Sequence, residues 1–394
     1  MSTLRDRLRL RMLRAVALAW TARLPQAPLH PLPERPRLLL IRPDHLGDLL
    51  FATPALRYLR TRLPDAHLTA LVGPWGEAVW RDNRHLDEVW TLPFPGFTRE
   101  PKGPLWKPYA LLLRAAKDLQ SGRYDAALVL RADHWWGAWL ARLTGIPRVV
   151  GYEVPPTRPF LTAPVPYTAG RHEVLQNLAL VQALTGEEGG SPDPKDAPLE
   201  FTPPPHAAER ARALLSGSLP SICIHPGAGA PVKTWPPERW ASVADALAEE
   251  TGAPIVLTGS ASELDLAWKV AARMAREARV LAGKADLGEL AALFAQARLV
   301  LGSDSGPLKL AQAMGARTVH LYGPVDVRTF GPWGDPATYR VVQSPLPCAP
   351  CNRLDYLLGE LAEHPCMAAI PGEAVLEAAR ALLRREGHPR MRNE

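Results

Sequence analysis

The sequence predicts an α/β protein of two doubly wound, parallel-sheet domains, each Rossmann-like. Three observations carry that reading. Apolar runs of strand length alternate with stretches of helical period, the pattern of strands buried on both faces and joined by crossover helices. The alternation halts in a polar, Pro- and Gly-rich stretch at 186–205 and then starts again. At 394 residues and 47% apolar content, the chain also exceeds the usual size of one hydrophobic core.

In the first half, strands are expected at 37–41, 67–72, 88–92, 124–130 and 148–152, with helices at 49–62, 105–120 and 135–144. In the second half, strands are expected at 221–225, 254–259, 278–281, 299–303 and 318–322, with helices at 237–250, 263–277, 287–297 and 307–314. A last amphipathic helix spans 371–385, and nothing in the sequence says which domain it packs on. The expected organisation is a basic amphipathic helix and Pro-rich linker at 1–35, a first domain at 36–190, a linker at 191–205, a second domain at 206–370, and a C-terminal helix and tail at 371–394.

The formal charge of +6 is spread along the chain, which favours phosphates or an anionic lipid surface as partners. Nucleic acid is not favoured, because no nucleic-acid module is present. Four cysteines in so long a chain make no disulfide framework, which fits a reducing, cytoplasmic setting. Near the N-terminus, Arg5, Arg7, Arg9, Arg11 and Arg14 precede an uncharged run at 15–22 that is far shorter than the roughly 20 residues of a membrane span. Leu4, Leu8, Met12, Val16 and Trp20 recur every fourth residue and share one helical face. Such a helix lies on a membrane surface or packs on its own protein, and basic amphipathic character fits both.

Ligands of open parallel sheets gather at the carboxyl ends of strands, so the loops there hold the candidate chemistry. The first loop, RPDHLGD at 42–48, opens a helix, and a carboxylate in a first helical turn is stabilised by the helix dipole. Helix capping explains this pattern too, with Asp44 as the cap and Asp48 left for chemistry. The second, HPGAGAPVKTWPP at 225–237, has Gly227 and Gly229, where backbone amides can approach phosphate oxygens, and Lys233 as a mobile cation. The third, TGSASE at 258–263, offers Glu263 to ribose hydroxyls or to a helix N-terminus. The fourth, GSDSGPLK at 302–309, places Pro307 at a favoured first helical position, with the amides of Ser305 and Gly306 directed at an anion.

In this order and spacing, DHLGDLLFATPALRYLR, HPGAGAPVKTWPPERW, TGSASE and LGSDSGPLKLAQAMGARTVHLYGP resemble glycosyltransferase family 9, the bacterial heptosyltransferases of the lipopolysaccharide inner core. The resemblance covers about residues 36–385. It implies a GT-B fold, two Rossmann-like domains facing across a cleft, and an inverting, metal-independent transfer with no required cofactor. ADP-heptose is the implied donor, a glycolipid the acceptor, and the inner face of the cytoplasmic membrane the peripheral location. It also implies that Asp48 is the base that deprotonates the acceptor hydroxyl. Lys233 would then contact the donor phosphates and assist catalysis, Glu263 would hold the ribose, Asp304 would lie near the donor sugar, and Ser305 and Gly306 would form the phosphate-binding turn. One position departs, since the family commonly has histidine where this chain has Lys309. A lysine remains a cationic phosphate contact, but as a neutral proton acceptor it would need a large pKa shift.

Two further expectations remain. Cys348, Cys351, His364 and Cys366 are of the types that bind structural zinc, and similar cysteine clusters belong to the resemblance; free or paired thiols are the other reading. Beside heptose transfer stand a GT-B enzyme using another ADP-, GDP- or UDP-linked sugar, an epimerase of that fold, and a nucleotide-sugar-binding paralogue without catalysis.

Overall fold

The computed structural model describes residues 11, 12, 15, 18–21, 31–98, 104, 106–187, 190–215, 220–356 and 358–384. The chain divides into two compact units, Met1–Ser191 and Pro192–Glu394. Leu4, Leu8, Val16, most of the Pro-rich linker and the tail beyond 384 lie outside the described residues.

The first unit is a six-stranded parallel sheet in the order β3-β2-β1-β4-β5-β6. Its strands are β1 (Arg37–Arg42), β2 (His67–Val72), β3 (Glu88–Thr91), β4 (Ala126–Val129), β5 (Arg148–Tyr152) and β6 (Ala163–Val165). Its helices are α1 (Leu46–Arg62), α2 (Glu77–Trp80), α3 (Lys107–Gln120), α4 (Trp135–Leu143) and α5 (Glu173–Thr185). Leu38, Leu39, Leu40 and Ile41 of β1 are fully buried, as a central parallel strand covered by helices on both faces requires. The site lies at this strand's carboxyl end, where α1 begins.

The second unit repeats the architecture with β12-β11-β10-β7-β8-β9, the same 3-2-1-4-5-6 order when its strands are counted from its own start. Its strands are β7 (Ile222–His225), β8 (Ile255–Leu257), β9 (Ala278–Val280), β10 (Leu299–Ser303), β11 (Thr318–Tyr322) and β12 (Tyr339–Gln343). Its helices are α6 (Ala207–Leu215), α7 (Pro237–Thr251), α8 (Leu264–Ala271), α9 (Leu287–Gln296), α10 (Gly306–Ala313), α11 (Val327–Phe330) and α12 (Gly372–Leu383). β7 pairs with β10 so that His225 stands opposite Gly302, which brings the loops after these two strands side by side. The C-terminal helix α12 packs on α7 and β12 of this same unit, and Arg380 ties it to Glu250.

Several expectations need correction. β6, β12, α2, α5, α6 and α11 were not expected. β6 and β12 are edge strands whose side chains are mostly half-buried, and β6 contains Pro164, so neither shows a clean apolar run. The helix expected over 263–277 ends at Ala271, and Pro307 stands one residue inside a helix that begins at Gly306. Asp44 does not cap α1. His45 occupies the N-cap position, and the Asp44 carboxylate is buried against two arginines. Among the described residues no helix is long and apolar enough to cross a membrane.

Candidate active site

In the first unit, β1 ends in Arg42, whose guanidinium is 2% exposed and faces Asp44, Asp48 and Glu173. Its Nε lies 2.7 Å from Asp44 Oδ2, and its Nη2 lies 2.8 Å from Glu173 Oε1 and 3.9 Å from Asp48 Oδ1. Nη1 donates to Asn177 Oδ1 at 2.9 Å and to the Leu130 carbonyl. Burial opposes a charged guanidinium here, yet Asp44, Glu173 and Asp48 outweigh it and raise the Arg42 pKa. Asp44 likewise loses hydration, but Arg42 and Arg131 hold its carboxyl below the usual range.

Asp48 is the exception in this cluster, because its side chain remains 36% exposed in the first turn of α1. Its carboxylate therefore meets the buried cation on one side and keeps an accessible flank on the other. Arg131, from the loop after β4, pairs with Asp44 and with Asp133 at 2.5 Å and lies 5.1 Å from the Phe97 ring centroid. His134 is buried between Phe94 and Phe97, and burial pushes its pKa down to about 3, so it is neutral at pH 7.

In the second unit, the strand pairing brings Lys233 to Asp304. Trp235 anchors the Lys233 loop, since it is fully buried, meets Trp240 edge-on at 4.7 Å, and donates Nε1–H to the Ile370 carbonyl at 3.3 Å. Such an aromatic pair contributes about 1 kcal/mol beyond burial. Lys233 Nζ lies 2.8 Å from Asp304 Oδ2, and Lys309 Nζ, from the first turn of α10, lies 2.8 Å from Asp304 Oδ1. Asp304 and Lys309 are buried and Lys233 is nearly so. Burial alone would raise the Asp304 pKa, but the two lysines hold it far below the usual carboxylate range. Two ammonium groups on one carboxylate leave one net positive charge. His320 adds none, because burial and then the Lys309 charge lower its pKa to about 3.

At the same corner the buried hydroxyls of Ser303 and Ser305 have no hydrogen-bond partner among the described residues. Ser305 is the N-cap of α10 without a side-chain cap bond, so its side chain does not satisfy the helix N-terminus, the end of a helix that favours an anion. Glu263 serves its own helix end: its Oε2 accepts from the Ser260 amide and hydroxyl, both at 2.7 Å, and stands 3.8 Å from His225 Nε2. A Cβ at Gly227 would lie 2.0 Å from Glu263 Oε1, so this glycine is bare to let that carboxylate pass, whereas Gly229 borders open space.

Of the expected zinc set, Cys348 and Cys351 lie near enough to Cys366 for their charges to raise its pKa, after burial as the main cause. Among the described residues no group of three or more His, Cys, Asp or Glu side chains is placed to hold a metal ion. His364 instead packs its ring 3.6 Å from that of Tyr356, Cys348 and Cys351 are exposed, and Cys366 is buried in the core of the second unit. Cys223 is core as well, and burial pushes its thiol up to about 12.

Site residues that sequence reasoning missed are Arg42, Arg131, Glu173 and Asn177. An arginine closing an otherwise apolar strand, and Glu173 with Asn177 four residues apart in an apolar helix, were the available signals.

Two doubly wound parallel-sheet units give this chain the GT-B fold. Residues 112–361 match the model of glycosyltransferase family 9 (heptosyltransferase), and the chain belongs to that family. It is 25% identical over 363 residues to lipopolysaccharide heptosyltransferase 2 of Salmonella typhimurium, covering 89% of this chain and 99% of that protein. Among solved structures, a family 9 glycosyltransferase from Veillonella parvula is similar with a TM-score of 0.73 at 24% identity, covering 89% of this chain and 97% of that one. The ADP-heptose lipopolysaccharide heptosyltransferase II of E. coli is similar with a TM-score of 0.72 at 22% identity, covering 89% of this chain and all of that one.

Proposed function

We propose that this glycosyltransferase moves a heptose from ADP-heptose to the lipopolysaccharide core or a similar envelope glycolipid. The transfer is an inverting displacement that needs no metal ion, and it takes place at the inner face of the cytoplasmic membrane. The observation that carries this reading is the buried Lys233–Asp304–Lys309 corner, with its net positive charge and the unpartnered serine hydroxyls at the turn from β10 to α10. The donor diphosphate is placed there, against the amides of Ser305 and Gly306 and the open loop at Gly229, with Glu263 toward the ribose and Asp304 toward the sugar.

The chemistry follows from the groups present. Asp48 accepts the proton of the acceptor hydroxyl as that oxygen attacks the anomeric carbon. The bond from this carbon to the diphosphate oxygen breaks, and ADP departs carrying the negative charge that Lys233, Lys309 and the helix N-terminus stabilise. Arg42 holds Asp48 in position.

A thermal-shift series with ADP, GDP and UDP tests the donor assignment. ADP raises the melting temperature most, with about 2.7 kcal/mol of stabilisation at a hundredfold excess over its Kd. A larger response to GDP or UDP would assign another donor.

A further inference from the structure

We propose that the exposed stripe of α3, together with the neighbouring N-terminal helical residues, docks this chain on an anionic phospholipid bilayer. The apolar surface is unusually concentrated. Of nine exposed large apolar side chains among the described residues, five lie in these two segments: Met12, Leu18 and Trp20, then Trp106 and Leu113. Trp106 is 66% and Met12 60% exposed. Trp106 and Leu113, seven residues apart, share one exposed stripe, while Leu112, Ala115, Ala116 and Leu119 bury the other face of α3 and half-buried Tyr109 packs on the core at its edge. The helix is therefore held from behind, and the stripe is not needed for that packing.

The two segments adjoin. Trp139 of α4 meets the Trp20 ring at 6.2 Å and the Tyr109 ring at 6.2 Å, so both flank one indole. The charge around them selects the occupant. Arg11, Lys107, Arg114 and Lys117 are all exposed beside the apolar groups, against one acid on the α3 face, Asp118, 4.0 Å from Arg114. Tryptophan and leucine ringed by cations match a headgroup layer, where the apolar groups enter the acyl boundary and each cation near an anionic surface contributes about 1 kcal/mol.

This surface rests on the proposed lipid-linked acceptor only in that such an acceptor brings the enzyme to a bilayer, and the test keeps the two apart. Co-sedimentation of the full chain is measured with vesicles of phosphatidylethanolamine containing about a third phosphatidylglycerol, and with phosphatidylcholine alone. The unaltered chain binds the anionic vesicles, less so in high salt. Two variants, Trp106→Ser with Leu113→Ser, and Lys107→Gln with Arg114→Gln and Lys117→Gln, each bind about 10-fold or more weakly and keep the unaltered thermal response to ADP. Unchanged vesicle binding by both variants would overturn the proposal. So would a loss of self-association at unchanged vesicle binding, which would assign the face to a second copy of the chain. Vesicle binding that follows the predicted pattern without any ADP response would support the surface and contradict the donor assignment.

Discussion

Asp48→Asn leaves donor binding intact and lowers transfer by about 10²–10⁴-fold, the usual contribution of a positioned general base. Among the carboxylates around Arg42, Asp44 is buried and Glu173 largely so, with both committed to ion pairs at 2.7 and 2.8 Å. Asp48 alone combines contact with that guanidinium, at 3.9 Å, and substantial exposure to solvent. Asparagine keeps the shape but cannot accept the proton, so kcat falls while the donor Kd stays constant. A variant that turns over at the normal rate would remove Asp48 from the chemistry. Weaker donor binding with unchanged kcat would make it a binding residue.

Asp304→Ala destabilises the second unit by about 3–5 kcal/mol, because it leaves Lys233 and Lys309 facing each other in a buried setting without their shared carboxylate. At roughly 2–4 °C per kcal/mol for a unit of this size, thermal unfolding shifts down by roughly 10 °C. The effect depends on pH with a definite sign. The Asp304 pKa is lower in the folded state than its unfolded value of about 4, so its contribution is fully present above that value and is lost as the pH falls below it. The stability gap between the unaltered chain and the variant therefore shrinks between about pH 4 and more acid conditions. A gap of constant size over that range would show that ion pairing is not its source.

The fold was largely legible because central parallel strands are continuous apolar runs. Residues 148–152, 299–303 and 318–322 are strands with the expected bounds. The edge strands were hidden by their mixed burial, and α5 by apolar residues on nearly all its sides, which erase the amphipathic period. At the site, the four loops were visible as glycine-, proline- and acid-bearing turns after strands, but their partners were not. Lys233 and Asp304 are 71 residues apart, and only the pairing of β7 with β10 brings them together. The same pairing changes the meaning of Lys309, which in the sequence is one position unlike the family and in the structure is half of a cation pair on Asp304. Gly227 follows the same lesson, since its neighbour is the Glu263 carboxylate and nothing local to the loop reveals it.

The central claim is tested most directly by incubating the full chain with ADP-heptose and a heptose-deficient lipopolysaccharide acceptor, then following ADP release and the anomeric configuration of the product. ADP is released only when acceptor is present, and the new glycosidic bond has the configuration opposite to that of the donor. Release of ADP without acceptor, or a product that retains the donor configuration, would contradict single displacement by an acceptor hydroxyl with Asp48 as its base.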